Sequence, residues 1–193
     1  MSPTTAPYHH GDLRAALLRA AMDLLEESGA AELSLRAVAR RAGVSTAAPY
    51  RHYADRTALL SAVAAVGYRE LAEHLVAAHP APRTPDDLTA IATAYVNFAL
   101  QRPALFRVMF AEPCDPTSPE RVAAVDAIDA YVKYTVQQAF PDSDSENLAT
   151  GVWALVHGLA FLHLDGKLDS STPQLVADRI RNTVHAVLAA SVR

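Results

Sequence analysis

Apolar residues recur at intervals of three and four along nearly the whole of this 193-residue chain, the spacing of one buried face on an α-helix. Leu13, Leu17, Ala20, Ala21 and Leu24 make the first such stripe, with Asp12 placed to cap it and Gly29 to end it. Ser34 precedes a shorter stripe of Leu35, Val38 and Ala39, and Ala42-Gly43-Val44 reads as a tight turn. A third short helix is expected from Ser45 or Thr46 to Tyr53. Asp55 then caps a long helix, about Arg56 to Ala78, carrying Leu59, Leu60, Val63, Val66, Leu71 and Leu75. The run His79-Pro80-Ala81-Pro82-Arg83-Thr84-Pro85 breaks the pattern as a linker or sharp corner. Beyond it the spacing predicts helices over Asp86 to Gln101, Pro103 to Glu112, Ser118 to Phe140, Ser145 to Leu164 and Thr172 to Val192. Pro103 and Pro119 fall at first-turn positions, and Ser118 and Ser145 suit N-caps. No segment alternates as a strand does. The pattern is that of an all-α chain of about nine helices.

Composition narrows the class. Hydrophobic residues make up 51% of the chain, enough for a sizeable core. No apolar stretch reads as long enough to cross a membrane, and Met1 to Gly11 lacks the apolar core of a signal peptide. The one cysteine, Cys114, excludes an intrachain disulfide and fits a reducing cytoplasm. It reads as a semi-buried small residue, its thiol pKa raised by Glu112 and Asp115. The formal net charge of -4 conceals an asymmetry. From Leu33 to Arg56 there are five arginines, Arg36, Arg40, Arg41, Arg51 and Arg56, against Asp55 alone, a local +4. The stretch from Thr57 on is net -5. A basic patch on an acidic body is the footprint of a nucleic-acid binder whose bulk does something else; a solvated basic face without a partner has the same composition.

That patch coincides with a helix, a tight turn and a second helix, the layout whose second element enters the major groove. Gly43 supplies the turn's backbone freedom. Ser34, Arg36, Ser45, Thr46, Ala47, Pro49, Tyr50, Arg51, His52 and Arg56 are the candidate DNA contacts. Thr46 suits a base edge or phosphate, and Tyr50, Arg51 and His52 suit phosphate oxygens, with Arg40 flanking. Pro49 is the fourth helical residue if Ser45 caps, the third if Thr46 does, so it removes at most one intrahelical hydrogen bond. It also biases Ala48 away from helical angles, favouring a late or 3₁₀-like start. A tight, irregular start at Ser45 or Thr46 is expected, with Thr46 and Ala47 at its tip. Further upstream, His9 and His10 read as a mobile tail or groove-contacting arm, and Arg14 as a phosphate contact.

These residues carry a resemblance. The Ala42-Gly43-Val44-Ser45 turn, the Tyr50-x-His52-Tyr53 run and Leu59-Leu60 opening the long helix resemble the amino-terminal domain of the tetracycline-repressor (TetR) family of bacterial transcription regulators. Tyr8-His9-His10-Gly11-Asp12-Leu13-Arg14, with Trp153, His157 and Gly158, resembles the branch marked by a Trp-x-x-x-His-Gly motif. Pro49 departs from the usual Leu or Ile, and Arg56 from the usual Lys. The resemblance implies a three-helix helix-turn-helix domain over residues 1–56 and a helical ligand-binding and dimerisation domain over 57–193. It further implies a pseudo-palindromic duplex operator and a small-molecule effector that moves the long helix and respaces two reading heads. A four-helix homodimer interface is part of the same expectation.

The second domain's own pattern fits. Leu148, Val152, Leu155, Leu159 and Leu162 form one apolar face of their helix, and Val176, Ile180, Val184 and Val187 a stripe on the last. These nine are the candidate dimer surface, though one large monomeric core would bury them equally. Phe98, Phe106, Met109, Phe110, Tyr131, Tyr134, Trp153 and His157 are candidates to line a mostly apolar ligand pocket, or else to pack the core. No metal site is expected, since His157 and His163 diverge round the helix, and no cofactor is implied. The absence of a carboxylate pair, Ser-His-Asp set, phosphate loop or cysteine pair argues against an enzyme. The rival readings are an all-helical enzyme or lipid-binding protein with an incidental basic patch, and an architectural DNA binder without a ligand.

Overall fold

Side-chain caps and glycines fix most helix ends in the computed structural model, which describes residues 10–190. Its α-helices are α1 (His10–Ser28), α2 (Leu35–Arg41), α3 (Arg56–Ala78), α4 (Pro85–Gln101), α5 (Pro103–Phe110), α6 (Pro119–Ala139), α7 (Ser145–Leu164) and α8 (Pro173–Ala190). Single 3₁₀ turns occupy Ala30–Glu32 and Pro49–Arg51, and no strand occurs among the described residues. Gly29 ends α1 at φ 77°, and its N–H donates to the Leu25 carbonyl. Ser34 Oγ accepts from the Ala37 N–H at 3.2 Å and Asp55 Oδ1 from Ala58 at 2.8 Å. Thr84 and Asp87 form a reciprocal capping box at the head of α4.

Some expected boundaries move. α1 begins at His10, so Asp12 lies inside it and does not cap it; Tyr8, His9 and Val192 fall outside the described residues. Asp144, not Ser145, accepts the capping bond of α7, from Asn147 at 3.2 Å. Ser118 precedes α6 without a side-chain cap bond.

At Ser45 to Tyr53 a short helix with a late or 3₁₀-like start was expected, and the 3₁₀ character takes up the whole element, which is a single turn at Pro49–Arg51. The Ala48 N–H bonds the Ser45 carbonyl at 3.0 Å, Arg51 bonds Ala48 at 3.3 Å, and His52 bonds Pro49 at 2.9 Å. All three are i→i+3 bonds, the 3₁₀ turn covers Pro49–Arg51, and the Tyr53 N–H closes it with an i→i+4 bond to Pro49 at 2.9 Å. The cause is Pro49 itself. An α-helix would give the Ser45 carbonyl to residue 49, which has no N–H, so the chain tightens and Ala48 takes that carbonyl. Ala48 sits at φ -61°, ψ -43°, in helical geometry; the steric bias imposed by the following proline is overridden by that bond.

α3 is the spine. Leu59, Leu60, Val63, Ala64, Ala65, Leu71 and Leu75 are all buried along it. At Gly67 it meets α5 so closely that an added Cβ would lie 2.6 Å from Met109 Sδ. One residue on, the Tyr68 hydroxyl donates to the Met109 carbonyl at 2.9 Å. Ion pairs join the amino-terminal helices to the rest: Arg102 bridges Glu26 and Glu70, each at 2.8 Å, and Arg14 meets Glu120 at 2.6 Å. Exposed pairs contribute roughly 0–1 kcal/mol each, whereas one fully buried large apolar side chain contributes about 1.5–3 kcal/mol. Burial of α3, not the ion pairs, therefore holds the two parts together.

By length and composition α7 is apolar enough to cross a membrane, contrary to the sequence expectation. It packs here against α4 and α6, burying Ala149, Val156, Leu159, Ala160 and His163.

Phe106 is fully buried, ringed by Tyr95, Phe110 and Phe161, while Tyr134 is 57% exposed. Phe106→Ala should lower unfolding free energy by about 3–5 kcal/mol, and Tyr134→Ala by no more than about 0.5 kcal/mol. Urea denaturation followed by circular dichroism measures both.

Candidate nucleic-acid interface and internal cavity

The turn after α2 lifts a row of side chains off the body. Ser34, Arg36, Ser45, Thr46, Ala47, Tyr50 and Arg51 are exposed, and His52 is half-buried. Two expected contacts are occupied elsewhere. Pro49 is buried, pinning the 3₁₀ turn to the core beside Tyr53. Arg56 donates from Nε to the Leu33 carbonyl at 3.0 Å and from Nη2 to the Ala30 carbonyl at 2.7 Å, with Glu112 3.5 Å away. It braces the 3₁₀ turn at Ala30–Glu32 and is not a free cation. Arg14 is held by Glu120 and stacks 5.9 Å over the Tyr53 ring. Arg41 pairs with Glu27. Arg36, Arg40 and Arg51 make no ion pair among the described residues, and so hold their full donor capacity toward solvent.

The body contains a small apolar cavity of about 40 Å³. Leu75 of α3 and Leu88, Ile91, Ala92 and Tyr95 of α4 form one side; Ile128, Tyr131, Val132, Thr135 and Val136 of α6 form another; Val152, Trp153 and Val156 of α7 close it. Among the described residues, no charged side chain lines it. Its hydroxyls are already engaged: Tyr131 donates to the Leu75 carbonyl at 3.3 Å, Thr135 to the Tyr131 carbonyl at 2.8 Å, and Tyr95 meets His157 Nδ1 at 2.9 Å. Burial pushes the Tyr95 phenol far up and the His157 imidazole down. Both groups are therefore neutral, and the hydrogen bond between them carries no net charge.

Of the eight expected pocket residues, Tyr131 and Trp153 line this cavity. Phe98, Phe106 and Met109 are core residues away from it, and Tyr134 faces solvent. Phe110 and His157 join an aromatic cluster behind Tyr95, with His157 4.7 Å from Phe110 and 4.9 Å from Phe161. Tyr95 itself was missed, although Leu88, Ile91, Ala92 and Tyr95 have helical spacing and were there to be read. Cys114 is semi-buried, its Sγ 3.6 Å from the Val108 carbonyl. Its pKa is raised, first by burial and only secondarily by Glu112.

The expected dimer residues divide. Val176, Ile180 and Val184 are buried within the single chain, because the apolar stripe of α8 packs onto α4. Leu159 is likewise buried. Leu148, Val152 and Leu155 are half-buried and, with Val184 and Val187, line a groove of about 170 Å³ where α7 and α8 diverge. Leu162 is exposed, as are Gly151 and Ala154 on the same face of α7.

Comparison with known proteins fits this layout. Residues 17–63 match the model of bacterial regulatory proteins of the tetR family. Residues 88–187, more than half the chain, match that of the tetracyclin repressor-like C-terminal domain. The chain belongs to the TetR family. A relative, the HTH-type transcriptional regulator Rv1816 of Mycobacterium tuberculosis, is 33% identical over 132 residues, 66% of this chain and 53% of that protein. The chain thus spans about half the length of the curated relatives it matches. A solved structure of a protein with unknown function from Rhodococcus sp. RHA1 is 35% identical with a TM-score of 0.77, covering 93% of this chain and 97% of that one. The tetR-family transcriptional regulator from Streptomyces coelicolor shares the fold at a TM-score of 0.73 and 19% identity, covering 95% of this chain and 83% of that one. The fit of this TetR-family chain to the Trp-x-x-x-His-Gly branch rests on its own residues.

Burial also gives the body a pH dependence. His157 and His163 both titrate below the ordinary histidine value of 6.5, each chiefly because burial disfavours the charged ring. The unfolded chain then binds protons that the folded chain refuses, so stability is full above about pH 6.5 and falls as pH drops below it. Urea midpoints at pH 7.5 and 5.5 should show that fall, and the double variant His157→Gln, His163→Asn should flatten it; an undiminished fall would place its cause elsewhere.

Proposed function

We propose that this chain is a homodimeric, sequence-specific transcriptional regulator that binds duplex DNA and is released from it by a neutral, apolar small molecule. The observation that carries the reading is the exposed row Thr46, Ala47, Tyr50 and Arg51, flanked by Arg36 and Arg40, on a body of opposite charge. Thr46 and Ala47 stand at the tip of the turn, where a base edge would be met, and the cations and the Tyr50 hydroxyl suit phosphates. Residues 1–56 act as the reading head and 57–193 as the effector and dimer unit, joined by α3.

A lone head of this size makes few contacts, and two-fold pairing multiplies them with half-sites about 34–36 Å apart. The face of α7 bearing Gly151, Ala154, Gly158 and Leu162 suits a second copy. The open space around the Gly151 and Gly158 positions lets another helix approach closely, and the adjoining apolar groove accepts its side chains. The effector class follows from the cavity. An ionised ligand would meet no counter-charge there and would lose its hydration without compensation. The cavity must widen for a ligand, since small-molecule sites usually enclose about 300–1,000 Å³. Trp153, 43% exposed while lining the cavity, is its movable wall and the chain's one tryptophan.

Fluorescence anisotropy of labelled promoter DNA against salt tests the reading. Affinity should fall steeply with salt, and Arg51→Ala should weaken binding to all sequences alike and reduce the slope by about 2 per dimer, one phosphate per head. An apolar effector should then shift Trp153 emission and release DNA in the same titration. No binding to the chain's own promoter region at low salt would sink the regulator reading, and undiminished operator affinity at saturating effector would sink the release mechanism.

Sedimentation at micromolar concentration should give twice the 20.7 kDa chain mass. Leu162→Asp should give a folded monomer with weakened operator binding; a dimer that survives it uses another face.

A further inference from the structure

On the far flank of α8 from the α7 groove lies a second, quite different space. The ends of α3, α4 and α8 enclose an open groove of about 700 Å³, floored by the small residues Ala90, Ala94 and Ala177. Polar side chains from all three helices border it, among them His74, Thr89, Asn97, Arg181 and His185. It shares no lining residue with the apolar cavity.

Thr89 marks it as more than a surface crease. Thr93, Thr135, Thr150 and Thr183 each donate a hydroxyl to the carbonyl four residues back, at 2.8–3.1 Å, the usual way a helix satisfies that group. The Thr89 hydroxyl is buried and bonds to nothing, in a side chain only 9% exposed. A buried hydroxyl without a partner is costly unless something supplies one. Around it, donors outnumber acceptors. Arg181 gives one N–H to Asp178 at 2.7 Å and retains the rest of its five. Among the described lining residues the one carboxylate, Asp86, is engaged by His185 at 3.3 Å. His74 is held against Phe98 with ring centroids 6.0 Å apart.

We propose that this groove is a second ligand site, for a small organic oxyanion, either a carboxylate or a phosphate monoester. Arg181 takes the oxyanion, as guanidinium geometry favours. Thr89 and Asn97 bond the polar atoms of the ligand's body. Because His74 and Ala78 lie on α3, an occupant ties the end of that helix to α8. Occupancy there acts on the helix that carries the reading head, by a route separate from the apolar cavity.

Isothermal titration of the full chain without DNA tests the site, with succinate and glycerol 3-phosphate as anionic probes and glycerol as the neutral control. One saturable site per chain is expected for at least one anion, and which anion binds distinguishes carboxylate from phosphate. Arg181→Gln should weaken it at least ten-fold. Thr89→Val should weaken it several-fold while raising the Tm of the unliganded chain, a combination that a structural hydroxyl would not produce. Absence of saturable heat from both anions, unchanged affinity in Arg181→Gln, equal binding of glycerol, or a lowered Tm with unchanged affinity in Thr89→Val each overturns the proposal. None of these results bears on operator binding, which is measured separately.

Discussion

The burial of α3 is the constraint on which the rest depends. Its amino-terminal turn is fixed to the head by Asp55 and by the bonds of Arg56 to the Leu33 and Ala30 carbonyls. Its middle is pressed against α5 at Gly67, and Leu75 near its end forms part of the cavity wall. A helix of 23 residues spans about 35 Å at 1.5 Å per residue. Packed on several sides with buried aliphatics, it cannot bend locally without opening the core. A displacement at its carboxy-terminal end would therefore be carried to the amino-terminal helices as a rigid-body tilt.

The head shows how one residue type reshapes an element without destroying it. Pro49 deletes a single donor, and the chain responds by tightening to i→i+3 bonding from Ser45 onward. The same ring is buried and so anchors the turn it distorts. Tyr50 and Arg51 follow immediately and are exposed. Their positions are set by a packed proline and not by the repeat of an α-helix, so the exposed row proposed to meet DNA is held by burial beneath it.

Most of the architecture was legible because helical periodicity, caps and breakers act locally. The stripe of α3, the cap at Asp55, the stop at Gly29 and the proline corner before α4 each depend on a few neighbouring residues. The 3₁₀ turn was less so, because counting donors shows what Pro49 removes but not how the freed Ser45 carbonyl is re-satisfied. In the sites, sequence gave residue types without partners. Arg56 reads as a phosphate contact until the Leu33 and Ala30 carbonyls are seen to hold it. Phe98, Phe106 and Met109 have the chemistry of a pocket, yet an aromatic that lines a cavity and one that fills a core share the same spacing. The stripe Val176, Ile180, Val184 and Val187 reads equally as dimer surface or core, because periodicity cannot say whether the covering surface is α4 or another molecule; the first three are buried against α4 and Val187 is exposed.

The division of charge can now be given a physical basis. At physiological salt the screening length is about 8 Å, so acidic side chains farther than this from the phosphates barely oppose binding. Four acids of the head and the adjoining body are paired: Glu27 with Arg41, Glu26 with Arg102, Glu120 with Arg14 and Glu112 with Arg56. Each pair neutralises an acid of the head or the adjoining body while leaving Arg36, Arg40 and Arg51 without partners. The arginines that lie near the seam between head and body are spent on holding it, and those on the outer face remain open. A net-acidic chain can in this way present a basic surface, because what a phosphate meets is the unpaired charge within one screening length and not the sum over the molecule.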